Sequence, residues 1–171
     1  MRFGDDVIIS PQAIIVRPEL VTMGDHNAID AFTFISTALE MGSYIHISPH
    51  CSIVGGAQSK LVMGDFSGLS AGCRIVCGSD SYKGDALTNP VVPKQYRKIT
   101  YSTVTLERFV VLGTNVVVHP DVTIGEGTVV GSCSLVTHDL APWGIYYGTP
   151  ARRWADRRKD KILEYAQELM P

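Results

Sequence analysis

Aliphatic residues, methionine or phenylalanine recur at every sixth position along most of this chain. The runs are Phe3, Ile9, Ile15; Met23, Ile29, Ile35; Met41, Ile47, Ile53; Met63, Leu69, Ile75; Leu106, Leu112, Val118; and Ile124, Val130, Val136. Glycine often follows the apolar residue, as in Met23-Gly24, Met41-Gly42, Met63-Gly64, Leu112-Gly113, Ile124-Gly125 and Val130-Gly131. Such a period predicts short strands, three of which close one triangular coil of about 18 residues in a parallel β-helix. The runs predict an all-β fold of about six coils. No coil buries its apolar face alone, so stability comes from stacking.

Three interruptions break the period. Extra residues fall near Pro18-Glu19-Leu20-Val21 and around Gly55-Gly56-Ala57-Gln58, and a long insertion runs from Cys77 to about Ser102. This last segment carries Asp80, Tyr82, Asp85, Asn89, Tyr96 and Arg97 among prolines and glycines. A polar loop of that length in a compact repeat protein points to function. The repeat ends at Val136-Thr137. The pattern predicts a β-helix domain over 1–149 and a C-terminal helix over 150–171, with Trp154, Ile162, Leu163, Tyr165, Ala166 and Leu169 on one face. Such a helix would cap the open edge of the last coil.

The 171 residues suffice for one domain, and a net charge of −2 gives no basic field for nucleic acid or an anionic membrane. Neither a membrane-length apolar run nor a signal-peptide core is visible, so a soluble, cytoplasmic protein is expected. Cys51, Cys73, Cys77 and Cys133 lack metal spacing; Cys51 and Cys73 fall where other repeats carry small residues, and read as small buried hydrophobes.

The repeat, the long loop and the tail Trp143-Gly144-Ile145-Tyr146-Tyr147-Gly148-Thr149-Pro150-Ala151-Arg152 resemble the hexapeptide-repeat acyltransferases across almost the whole chain. The Gly-Thr-Pro-Ala-Arg tail is shared with sugar-acetylating members. The loop Asp80-Ser81-Tyr82-Lys83-Gly84, with Thr88-Asn89-Pro90 and Pro93, looks closer to nucleotide-sugar acetyltransferases of surface-polysaccharide clusters, of the dTDP-4-amino-4,6-dideoxyglucose N-acetyltransferase type. The resemblance implies a left-handed helix, a homotrimer, and acetyl-CoA in a groove between subunits. It places Gly113, Thr114, Gly131 and Ser132 on the pantetheine arm, and Thr137, His138, Arg152 and Arg153 towards the nucleotide end. His138 stands where the family usually has lysine.

Transfer from a thioester needs an unprotonated nucleophile, a polarised carbonyl and reprotonation of the thiolate. Galactoside and xenobiotic members place a histidine at the mouth of the long loop. Here the position holds Asp80 or Ser81, and the loop has no histidine. His46, in a segment similar to Val-His-Ile of the nucleotide-sugar enzymes, ranks first as base. Asp80 follows, as base or as the group orienting the acceptor, then His119 and His50; His26 reads as a solvated turn residue. An amine acceptor needs less help than a hydroxyl, which favours N-acetylation over O-acetylation of a galactoside-like sugar. Ser81, Tyr82, Asn89 and Tyr96 are the candidate sugar contacts. A γ-class carbonic anhydrase would need three histidines converging on zinc, but His26 and His50 fall at the fourth hexad place, His46 at the sixth and His119 at the second, which makes no column, so no metal site is expected. A non-catalytic β-helix scaffold is the remaining alternative.

Overall fold

The computed structural model describes residues 1–170. Strands of two to five residues stack into three parallel sheets, one per side of the triangular coil. The first face runs from Arg2–Phe3 to Thr123–Ile124, the second from Ile8–Ile9 to Gly144–Tyr147, and the third from Ile14–Ile15 to Leu135–Val136. Six coils are complete. A seventh is begun by Leu140, bridged to Ile124, by Tyr146 paired with Val130, and by Ala151, whose N–H donates to the Leu135 carbonyl.

Each predicted apolar residue pairs with its counterpart in the next coil: Ile29 with Ile47, Ile47 with Leu69, Ile35 with Ile53. The core residues from Val21 to Val136 are almost completely buried. The interruptions appear directly in the register. Phe3 pairs with Met23, Met41 with Met63, and Met63 with Leu106, whereas Met23 pairs with Met41 after one regular unit. In the first coil, which is covered on one side only, the inward Phe3 stays exposed and Ile9 and Ile15 are half-buried, while Ile8 and Ile14 point outward.

The corner between the first and second faces turns on residues with positive φ: His26, Tyr44, Phe66, Phe109, Gly127 and Trp143. This conformation is costly for bulky residues. Stacking offsets part of that cost. The rings of His26 and Tyr44, Tyr44 and Phe66, and Phe66 and Phe109 lie 4.6, 4.9 and 5.4 Å apart. The sixth coil has Gly127 at this place, and the Trp143 indole fills the space its side chain would occupy. The Arg157 guanidinium binds the carbonyls of Phe109 and Gly127 at 2.7 and 3.0 Å, tying the tail to this corner.

The helix expected over 150–171 is confined to Asp160–Leu169. Residues Arg152–Asp156 instead form a strand antiparallel to Gly144–Tyr147, which leaves Trp154 exposed beside Tyr147. Pairing along an open sheet edge satisfies backbone groups that a helix would have left bare, and it outweighs the apolar spacing. The shortened helix buries Ala166, and its Leu163, together with Met170 just beyond its end, lines a hollow with Arg108 and Phe109.

Candidate active site

All three interruptions occur at the same corner, between the third face and the first. The short helical turn Pro18–Leu20 leaves after Ile14–Ile15, Gly55 to Gln58 after Ser52–Val54, and the long loop after Arg74–Val76. Stacked on one another, they enclose a cleft of about 660 Å³ lined by Arg17, Ser36, Gly55, Gly56, Gln58, Asp80, Tyr82, Lys94, Arg97 and Tyr101, among others. The repeat is thus regular where it packs and irregular where it makes a cavity.

The loop is a structured flap. Its neck is the antiparallel pair Gly78–Asp80 and Ile99–Tyr101. Asp80 lies at the end of the first strand, and its side chain is only 11% exposed. Arg97 donates from Nε to one Asp80 oxygen and from Nη2 to the other, at 2.9 and 3.1 Å, and the Asn89 N–H donates to the second oxygen at 3.1 Å. Both carboxylate oxygens are therefore engaged, which suits an orienting role better than a free base. Further out, Asp85 accepts from Lys98 Nζ at 2.7 Å and from the Ser81 hydroxyl at 2.6 Å, and these bonds hold its pKa down to about 2.

Of the candidate sugar contacts, Tyr82 lies in the cleft, its hydroxyl 2.9 Å from that of Ser79. Ser81 and Asn89 serve the loop's internal bonds. Tyr96 turns towards a shallower hollow beside Gly84, Leu87 and Lys98. Sequence reasoning gave no role to Arg17, Lys94, Arg97 and Tyr101. Counting hexads would have shown that Arg17 and the loop leave the repeat at the same corner.

His46 stands elsewhere, exposed on the second face, with Nε2 2.8 Å from Asp30 Oδ2. That bond leaves Nδ1 to take up a proton. Within one chain His46 and Asp80 are not brought together. His50 sits at the corner between the second and third faces, stacked on Phe32, whereas His119 is exposed at the cleft's corner, in the coil above the long loop.

The acetyl-CoA candidates divide into three places. Gly113-Thr114 and Gly131-Ser132 stack at the corner between the second and third faces, with Thr114 and Ser132 exposed. Thr137 and His138 lie across the third face at the cleft's corner, their side chains 3.2 Å apart. Arg152 and Arg153 lie on the tail strand, where Arg153 binds the Tyr146 hydroxyl and Asp156.

The outward residues differ by face. The second carries Ile8, Ala28, His46, Gly68, Val111, Val129 and Ile145, and the third carries Ile14, Phe34, Ser52, Arg74, Val117 and Leu135. The first carries Arg2, Thr22, Glu40, Val62, Thr105 and Thr123. Two faces are thus largely apolar and one is polar.

Residues 103–138 match the model of the bacterial transferase hexapeptide (six repeats). The chain is 31% identical over 171 residues to the dTDP-4-amino-4,6-dideoxy-D-glucose acyltransferase of Escherichia coli, an alignment covering 98% of this chain and 88% of the relative. It superposes with a TM-score of 0.92 on AntD, an N-acyltransferase from Bacillus cereus solved with dTDP and 3-hydroxybutyryl-CoA, at 34% identity over 98% of this chain and 88% of AntD. It is also 29% identical over 143 residues to WbbJ of Escherichia coli K12, assigned as a lipopolysaccharide-biosynthesis O-acetyl transferase, covering 78% of this chain and 67% of that one.

Proposed function

This chain belongs to the hexapeptide-repeat acyltransferases, and we propose that it moves an acetyl group from acetyl-CoA to the amino group of a nucleotide-linked amino sugar used in surface polysaccharide. The observation that carries this reading is the cleft built by the three interruptions, in a chain so similar to an enzyme solved with dTDP and an acyl-CoA. A variant of AntD has also been solved with dTDP-4-amino-4,6-dideoxyglucose and coenzyme A.

The reading assigns the acceptor to the cleft, with Asp80 oriented by Arg97 to fix the acceptor amine. Ser81, Tyr82, Asn89 and Tyr96 shape the loop around the sugar. Gly113, Thr114, Gly131 and Ser132 flank the pantetheine arm. Thr137, His138, Arg152 and Arg153 serve the nucleotide end, where guanidinium groups suit phosphate. In the reaction the amine lone pair attacks the thioester carbonyl, the amine proton passes to His46, the C–S bond breaks, and His46 returns that proton to the leaving thiolate, giving the amide and free CoA.

Because His46 and Asp80 lie apart in one chain, the reading requires more than one copy. A homotrimer in which the second face of one subunit packs on the third face of the next covers both apolar faces. It also brings His46 of one copy towards the cleft corner of its neighbour. No helix among the described residues is long and apolar enough to cross a membrane. An acetyl-CoA donor supports a cytoplasmic setting for the reaction.

The test compares acceptors. With acetyl-CoA as donor, dTDP-4-amino-4,6-dideoxyglucose should turn over faster than galactosides or maltose; the reverse order would overturn the N-acetyl reading. Sedimentation of an active 18.6 kDa monomer would overturn the trimer.

A further inference from the structure

The first two interruptions have no part in the transfer chemistry, yet both face the cleft. Arg17 comes from the first and Gly56 from the second. We propose that Arg17 and Lys94 clamp the diphosphate of the acceptor over the turn at Gly56, making the cleft selective for sugars that carry a nucleoside diphosphate. This rests on the acceptor reading above and adds the part of the acceptor that these residues recognise.

The argument begins with charge. Four charged side chains line the cleft: Arg17, Asp80, Lys94 and Arg97. Arg97 is neutralised by Asp80. Elsewhere near this corner Lys98 pairs with Asp85 and Lys60 with Glu40. Among the described residues, no carboxylate lies within ion-pair distance of Arg17 or Lys94. The cleft therefore holds two uncompensated positive charges, and the diphosphate that links a nucleoside to a sugar carries two negative ones.

Geometry supports the match. The Arg17 guanidinium donates from Nη1 to the Ser36 carbonyl at 2.9 Å, which fixes its plane and leaves its other N–H groups for two phosphate oxygens. Lys94 begins the short helical turn Lys94–Tyr96 of the inserted loop and lines the same cleft, and its flexible ammonium group suits a point charge. Gly56 has φ +77 and nothing within 4 Å of where a Cβ would sit, so the turn leaves room for a bulky phosphate beside the main chain. A sugar without a diphosphate gains nothing from either cation.

The experiment titrates the full chain by calorimetry with dTDP, with thymidine and with CoA. The unaltered protein should bind dTDP at least about tenfold more tightly than thymidine, and added salt should shrink the difference. Arg17→Gln should remove most of that preference and Lys94→Gln a smaller part, with thymidine and CoA binding unchanged. Unchanged CoA binding shows that a variant is folded; if Arg17→Gln loses it, Lys94→Gln on its exposed turn decides the matter alone. A preference for dTDP that survives in the folded variants overturns the clamp. A wild-type protein that binds CoA and dTDP but ranks thymidine equal also overturns the clamp, while leaving the acceptor reading in place. Binding of CoA with neither dTDP nor thymidine overturns the acceptor reading and the clamp together.

Discussion

Arg97 grips Asp80 through two hydrogen bonds across the neck of the inserted loop, and each side chain is nearly buried. One contact therefore both closes the loop and aims the carboxylate. Asp80→Asn leaves the Arg97 charge in place but removes its match. The expected outcome is a fall of about 10²-fold or more in kcat/KM for the amino-sugar acceptor, with CoA affinity unchanged. Arg97→Met should do the same, and the double variant should be no worse than either single one, since both break one unit. Steady-state kinetics on the four proteins tests this.

If His46 accepts the proton, His46→Ala should lower kcat by about 10²-fold and abolish any fall of the wild-type rate on the acid side. Asp30→Asn should give a smaller loss, because Asp30 only holds the ring. Full activity in both variants would pass the role to His119.

Ser132→Trp places an indole at an exposed corner where the pantetheine arm is proposed to run. CoA affinity should fall by about tenfold or more, as when a well-packed contact is blocked, while the melting temperature holds. Unchanged affinity would locate the groove elsewhere.

The loop should loosen in acid before the coils do. Asp85 has a folded pKa of about 2, below its ordinary value of 3.8, because Lys98 and Ser81 bond to the charged form. A depressed carboxylate contributes stability above its unfolded pKa and loses it as pH falls through the folded one. Pepsin cleavage within residues 77–102 should therefore increase as the pH drops from 4 towards 2. In Asp85→Asn it should be high throughout.

Two glycines with positive φ should respond differently. A side chain at Gly127 would run into the Trp143 ring, whereas Gly56 faces open space. Gly127→Val should cost about 2–4 kcal/mol, from backbone strain and a displaced aromatic, and Gly56→Ala only about 1 kcal/mol. Thermal melts of the two variants check the order.

The hexads made the coils legible because an inward residue every six positions leaves no other way to bury them. The sizes of the interruptions were legible too, and the register between Met63 and Leu106 reproduces the largest. Their convergence was harder to see, since Arg17 and Lys94 are far apart in sequence and meet only because both segments leave the same corner. The tail misled because Trp154 and Leu163 fit a helical face, while the deciding influence was an unpaired strand edge at Gly144–Tyr147. His46 was legible as a candidate, but its partner Asp30 lies one coil below and is not adjacent in sequence.

The aromatic rungs at the first corner bear on how a chain of this design can change. A residue added there would push one ring out of step with its neighbours. A residue added after the third strand of a coil meets no such rung. Every insertion in this chain has gone to that second place, and none has disturbed the stack from His26 to Phe109. The molecule is bound like a book: the spine keeps the page count, and leaves of any length can be let in at the fore-edge. New acceptors are reached by recutting those leaves, without resetting a single coil.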